Sequence, residues 1–195
     1  MREMFISEIW SIVRTSHGNA VLLKPQDMEV AVPIFIGTLE MQSILIGRDK
    51  VSLPRPLTHD LFLNMLNRIN LTIKKVEVYE IKNDTFHARL IITGGEFSNE
   101  KPLILDCRPS DSFALAVRGR YPIFLASSVI EQTGMPLDFF IDLIEKNSEP
   151  ADGDNDKHRS LLEQLEWAVA EEEYEQAAKI RDMLKTLEDE DMSST

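Results

Sequence analysis

The chain has a single cysteine, Cys107, among its 195 residues. One thiol makes no intrachain disulfide and no cysteine-based metal site, and a reducing compartment is its natural setting. No apolar run approaches the roughly 18 residues that a membrane span needs. The opening Met1-Arg2-Glu3-Met4 starts no signal-peptide core, because Glu8 and Arg14 interrupt the apolar residues that follow. A cytoplasmic protein with no membrane attachment is the expectation. Glycine-rich phosphate loops, a nucleophile elbow and a His-x-x-x-His zinc pair are all missing. So is a basic excess: the formal net charge is −12. Residues 151–195 carry 14 acidic and 5 basic side chains, which leaves 33 − 14 = 19 acidic and 21 − 5 = 16 basic in the rest. The first 150 residues are therefore near neutral. That disfavours tight nonspecific binding to phosphate backbones and leaves room for a small local site.

What is present is a real core, with 43% hydrophobic residues, in a chain long enough for one domain and an appendage. Alternation predicts strands over 5–13, 20–24 and 28–36, then a helix over 39–47. Pro54-Arg55-Pro56 is a stiff extended piece. Thr58 reads as the cap of a helix that runs to Ile69. A strand over 76–81 turns at Asn83-Asp84, a pair that tolerates positive φ, and returns over 85–93. Gly94-Gly95 starts the next turn. The strand 103–107 then runs into a helix with Ser110 as its N-cap and Asp111 in its first turn. A short strand at 123–126 and a helix over 137–144 complete the first domain.

The two halves superpose at an offset of 71, with Val32, Ile34 and Ile36 falling on Leu103, Leu105 and Cys107, and Glu40 on Asp111. The expected fold is α+β: duplicated strand-strand-strand-helix units forming a mixed sheet or half-barrel with helices, plus a C-terminal α-helical hairpin. A pseudo-twofold between the units would bring Glu40 and Asp111 to one cleft. The domain spans 1–146, a polar linker 147–156, and the hairpin 157–190. Leu161, Leu162, Leu165, Ala168 and Val169 form one hairpin stripe; two such short helices bury little by themselves and want a partner face.

Three polar clusters stand out: Arg55, Thr58, His59 and Asp60; Asp106, Arg108, Ser110 and Asp111; and Glu40 with Gln42. Phosphodiester hydrolysis needs a base or metal to activate water and cations to hold the charge on phosphate. His59 suits proton transfer. Arg55 and Arg108 suit bidentate phosphate contact. Asp60, Asp106, Asp111 and Glu40 are oxygen ligands of the kind a hard divalent cation such as magnesium takes. Each cluster also has a structural reading: Asp60 and Asp111 as helix-start carboxylates, Asp106 and Arg108 as a pair on one strand face. From the residues alone the chain holds a polar cleft and no unique reaction.

Two clusters are more specific than that. Pro54-Arg55-Pro56-Leu57-Thr58-His59-Asp60-Leu61 and Asp106-Cys107-Arg108-Pro109-Ser110-Asp111, preceded by Ile34-x-Ile36-Gly37-x-x-Glu40-x-Gln42, resemble the bifunctional nuclease domain family over about residues 5–135. Cys107 and Ser112 stand where alanine is usual, Phe113 replaces a smaller aliphatic, and His87 stands where tyrosine is common. The resemblance implies an α+β domain that hydrolyses DNA and RNA. The convergence of three helix starts overloaded with polar side chains makes Glu40, His59, Asp60, Arg108 and Asp111 the candidate catalytic residues, and Arg55, Thr58 and Ser110 the candidate substrate contacts. The tail, from Leu161 through Glu172-Glu173-Tyr174-Glu175 to Ile180-Arg181-Asp182, resembles a UVR domain. That implies contact with a protein partner, or self-association into an oligomer. The alternative is a non-enzymatic anion- or nucleotide-binding adaptor that docks a partner through the same hairpin, and a weaker one a structural scaffold.

Overall fold

The strand signals of the first half resolve into a meander. In a computed structural model, which describes residues 3–15 and 18–141, β1 (Met4–Thr15), β2 (Gly18–Pro25) and β3 (Val30–Ile36) pair antiparallel in order. β4 (Leu71–Lys82), β5 (Thr85–Gly94) and β6 (Leu103–Cys107) form a second meander. Its first turn is Asn83-Asp84, with φ of 50° and 57°, the left-handed pair that a two-residue hairpin requires. β4 starts five residues before the predicted strand, because 76 − 71 = 5. Two bulges, at Ile73/Lys75 and Val78/Glu80, break the strict alternation on which the sequence reading relied.

The short β7 (Ile123–Ala126) joins the meanders, antiparallel to β1 and parallel to β4. The result is one eight-stranded mixed sheet, β6-β5-β4-β7-β1-β2-β3-β8, where β8 is Met135–Pro136. Since β6 runs with β4 and therefore with β7, the connection through α3 (Pro109–Gly119) is a parallel crossover, and α3 must lie on a face of the sheet. It does: Phe113, Ala114, Leu115 and Ala116 are buried with Val76, Val78, Leu90 and Ile92. Each large side chain fully buried there contributes about 1.5–3 kcal/mol.

α1 (Thr38–Arg48) packs on α3, and α2 (Thr58–Arg68) also meets α3. Gly47 makes the first approach possible: a β-carbon there would lie 2.7 Å from Arg118 Nη1 and 2.8 Å from Val117 Cγ2. A further helix, α4 (Ser127–Thr133), was not legible in the sequence and is covered at Val129. Residues 137–141 are helical, as expected after Pro136. The rest of that helix, the linker 147–156 and the hairpin 157–190 lie outside the described residues. No helix among the described residues is long and apolar enough to cross a membrane.

Two predicted caps are corrected. α3 begins earlier than the reading has it: Arg108 is its N-cap, Pro109 its N1 residue and Ser110 its N2 residue. The fixed φ of proline suits N1 and pulls the helix start forward. Likewise the cap of α2 is Leu57, so Thr58 is N1, His59 N2 and Asp60 N3.

Candidate functional site

These shifts expose a common pattern. Gly37 caps α1, Leu57 caps α2 and Arg108 caps α3, so Glu40, Asp60 and Asp111 each occupy N3 of their helix. A carboxylate there meets free N–H groups and the positive end of the dipole, worth about 0.3–1 kcal/mol. Asp60 shows the local chemistry: its Oδ2 accepts the Leu57 N–H at 2.9 Å. Glu40 folds back in the same sense, since a β-carbon at Gly37 would collide with its carboxylate. So far all three are ordinary helix-start residues.

The tertiary structure gives them a second set of partners. Arg108 donates Nε and Nη2 to the two oxygens of Asp111, at 2.9 and 3.2 Å, and Nη1 to Glu40 Oε1 at 3.0 Å. Glu40 and Asp111 thus meet on one guanidinium, and its charge is held above the usual arginine range by those hydrogen bonds, Asp111 first. Arg108 stays 66% exposed, so its face is open to a ligand. His59 joins from α2: Nε2 lies 3.5 Å from Asp111 Oδ1, and Nδ1 lies 3.0 Å from Ser43 Oγ. The imidazole pKa falls below its ordinary 6.5, first because burial penalises the charged ring and then through the nearby Arg118; Asp111 works the other way and does not prevail. His59 is therefore a neutral ring at pH 7, able to accept a proton.

Asp60 faces a different arginine. Arg118, with 7% of its side chain exposed, donates Nε to Asp60 Oδ1 at 2.9 Å and Nη1 to the carbonyls of Ser43 and Ala114. Its Nη2 is buried and has no partner among the described residues. A buried donor left unmatched costs about 1–3 kcal/mol.

Of the predicted site residues, Glu40, His59, Arg108 and Asp111 form one connected cluster, and Asp60 is linked to it through Arg118 and Ser43. Ser110 is buried and lines a cavity of about 350 Å³ together with Glu40 and Arg108. Arg55 is exposed and lines a second cavity with Asp60 and Arg118, so the two arginines do not line the same cavity. Thr58 is exposed and bonds to none of these groups; Gln42 is exposed as well. The structural pairing of Asp106 with Arg108 is not formed: Asp106 sits on the opposite face of β6, where the Tyr79 hydroxyl donates to it at 3.5 Å. Arg108 lies one residue past the strand and turns to the helix side. Ser43 and Arg118 were not singled out from the sequence. The available signal was spacing: Ser43 lies one turn after Glu40 on α1.

Among the described residues, no three His, Cys, Asp or Glu side chains are grouped to hold a metal ion. Arg108 stands between the two carboxylates that would share one. Cys107 does not contribute a nucleophile, since burial, with Asp106 and Asp111 nearby, pushes its thiol up to about 12.

The family model of the bifunctional nuclease domain matches residues 21–138, and that of the UvrB/uvrC motif matches residues 155–190. A protein of Mycobacterium tuberculosis is 32% identical over 115 residues, which are 59% of this chain and 66% of the relative. Bifunctional nuclease 1 of Oryza sativa subsp. indica is 24% identical over 180 residues, covering 85% of this chain and 54% of the relative. Bifunctional nuclease 1 of Arabidopsis thaliana is 28% identical over 182 residues, covering 85% and 55%. The chain thus spans just under two thirds of the mycobacterial relative and little more than half of the plant ones. The first matched stretch runs from within β2 to past β8 and takes in every residue of the helix-junction cluster, and with more than half of the sequence inside it the chain belongs to the bifunctional nuclease domain family.

Proposed function

We propose that the chain is a nuclease that hydrolyses phosphodiester bonds of DNA and RNA, and that the junction of α1, α2 and α3 is its active site. The observation that carries this reading is the shared guanidinium. Arg108 uses three of its N–H groups on Asp111 and Glu40. An arginine has about five, so two remain for phosphate oxygens. Three helix N-termini at one junction add to that attraction without a large basic surface.

The proton path runs through His59. The path uses the tautomer whose Nδ1–H donates to Ser43 Oγ, which leaves Nε2 as an acceptor. Its 3.5 Å separation from Asp111 is long for a direct bond, and a water drawn between the two is polarised by both. That water attacks phosphorus, its proton passes to Nε2, and the phosphorus–oxygen bond to the leaving group breaks. The same proton then serves the departing oxygen. Arg108 holds the charge that builds on the non-bridging oxygens.

The decisive experiment is cleavage of supercoiled plasmid and of single-stranded RNA by purified full-length chain, with magnesium and with chelator. Nicking and RNA breakdown are expected. Absence of both under all conditions overturns the reading and favours the non-enzymatic adaptor.

For the tail, we propose docking to a protein partner or a second copy through the stripe of Leu161, Leu165 and Val169, which the UVR match supports. Leu165→Asp should lower the mass seen by light scattering or abolish partner capture; if neither changes, the stripe is not the contact. We also read the two meanders as copies of one unit, on the strand order that places them on either side of β7.

A further inference from the structure

Beside the Asp60–Arg118 pair lies a cavity of about 600 Å³ that the proposed reaction does not use. Its size is that of a small-molecule site, typically about 300–1,000 Å³. Three cations line it, Lys50, Arg55 and Arg118, against one carboxylate, Asp60. That carboxylate is already spoken for by the Arg118 Nε and the Leu57 N–H. Neither Lys50 nor Arg55 has an ion pair among the described residues, although the chain as a whole is at −12. Arg118 belongs to the same wall, but its Nη2, which has no partner among the described residues, is closed to solvent and does not face the cavity. Two exposed cations without a carboxylate partner call for an anion. The remaining wall is not that of a simple anion hole. Asn64 and Asn67 line it too, together with Leu53 and Tyr121.

We propose that this cavity binds one nucleoside monophosphate unit. The phosphate is held by Arg55 and Lys50, Leu53 and Tyr121 offer a face to the base, and the two asparagine amides offer donors and acceptors to its edge. The unit is either one nucleotide of a bound strand, which rests on the nuclease reading above, or a free mononucleotide, which does not.

The test is titration of the full-length chain with adenosine 5′-monophosphate by calorimetry, with inorganic phosphate as control. Saturable binding is expected, tighter than that of phosphate, and weakened about tenfold or more in Arg55→Glu, the loss of a charge-assisted phosphate contact. Lys50→Asn should weaken it in the same direction; asparagine keeps the left-handed backbone that the φ of 53° at this position requires. Both side chains are exposed, so the variants fold. No saturable binding, equal binding of phosphate, or wild-type affinity in both variants overturns the proposal. Plasmid cleavage then separates the two sources. Inhibition by the mononucleotide and a raised KM in Arg55→Glu place a strand nucleotide in the cavity. Binding that depends on Arg55 in a chain that cleaves nothing leaves a free-nucleotide site and rejects the nuclease reading alone.

Discussion

Two charged networks lie on opposite faces of the sheet. One is the helix junction. The other centres on Glu77, which sits between Val76 and Val78 on β4 and so points away from the core they build. Glu77 accepts Lys75 Nζ at 2.6 Å on one oxygen and Arg89 Nε at 2.7 Å on the other. The two cations finish their valence on rings: Lys75 lies 5.1 Å from the Phe124 centroid, and Arg89 lies 4.7 Å from that of Tyr79. Burial would raise the Glu77 pKa, yet the hydrogen bonds from Lys75 and Arg89 outweigh it and hold the carboxyl below its ordinary value. A cavity of about 450 Å³ adjoins this network too, so volume does not distinguish the two faces. What differs is the kind of group. The sheet network is one acid and two cations on β4 and β5, with no group that exchanges a proton near neutral pH. The helix junction adds a neutral imidazole beside a carboxylate, and a guanidinium shared by two acids.

The largest effect that would sharpen this contrast is on cleavage. Asp111→Asn removes the group that orients both Arg108 and His59 and should lower the cleavage rate by about 100-fold or more. Its effect on stability should stay near the roughly 0.3–1 kcal/mol of a dipole contact. Wild-type cleavage in this variant would break the comparison from the helix side.

Glu77→Ala should do the reverse. It leaves two cations without their shared carboxylate and should cost about 1–3 kcal/mol in chemical denaturation, towards the lower end because water reaches both cations. Cleavage should be unchanged. In the wild type this contribution is present above the unfolded carboxyl value near 4.5 and is lost as pH falls through the lower folded value. A stable Glu77→Ala protein with impaired cleavage would show that the sheet face belongs to the site.

The smallest expected effect is a pH dependence at His59. Its folded pKa lies below the ordinary 6.5, so the unfolded chain binds the proton more readily. The stability this provides is present above pH 6.5 and is lost as pH falls through the folded value. His59→Asn has no such titration. The stability advantage of wild type over His59→Asn should therefore shrink between pH 8 and about 5. An advantage that grows on acidification would mean that the folded ring prefers its charge.

Much of this was written in the sequence. The three helix starts overloaded with polar residues were visible, and so were the hairpin at Asn83-Asp84 and the alternation of β3 and β6, because capping, turn and strand patterns are local. The bulged β4 was read short and α4 was missed, since bulges break the alternation and a seven-residue helix carries little periodicity. The offset of 71 matched patterns but not environments. Ile34 is 2% exposed and its counterpart Leu105 is 39%, because β3 is covered and β6 is the sheet edge.

By itself, then, the sequence determined which residues could start helices and bear charge at them, and it carried the family match. Only the tertiary structure decided who meets whom. Arg108 reaches Glu40 from 68 residues away, and Arg118 reaches Asp60 from 58. Those pairings exist because the crossover after β6 lays α3 against both α1 and α2. Nothing in a local pattern encodes which of several helix-start carboxylates a distant guanidinium will find. It also separated Arg55 from Arg108, since the stiff Pro54-Arg55-Pro56 segment leads into α2 beside Asp60, on the side where Arg118 lies.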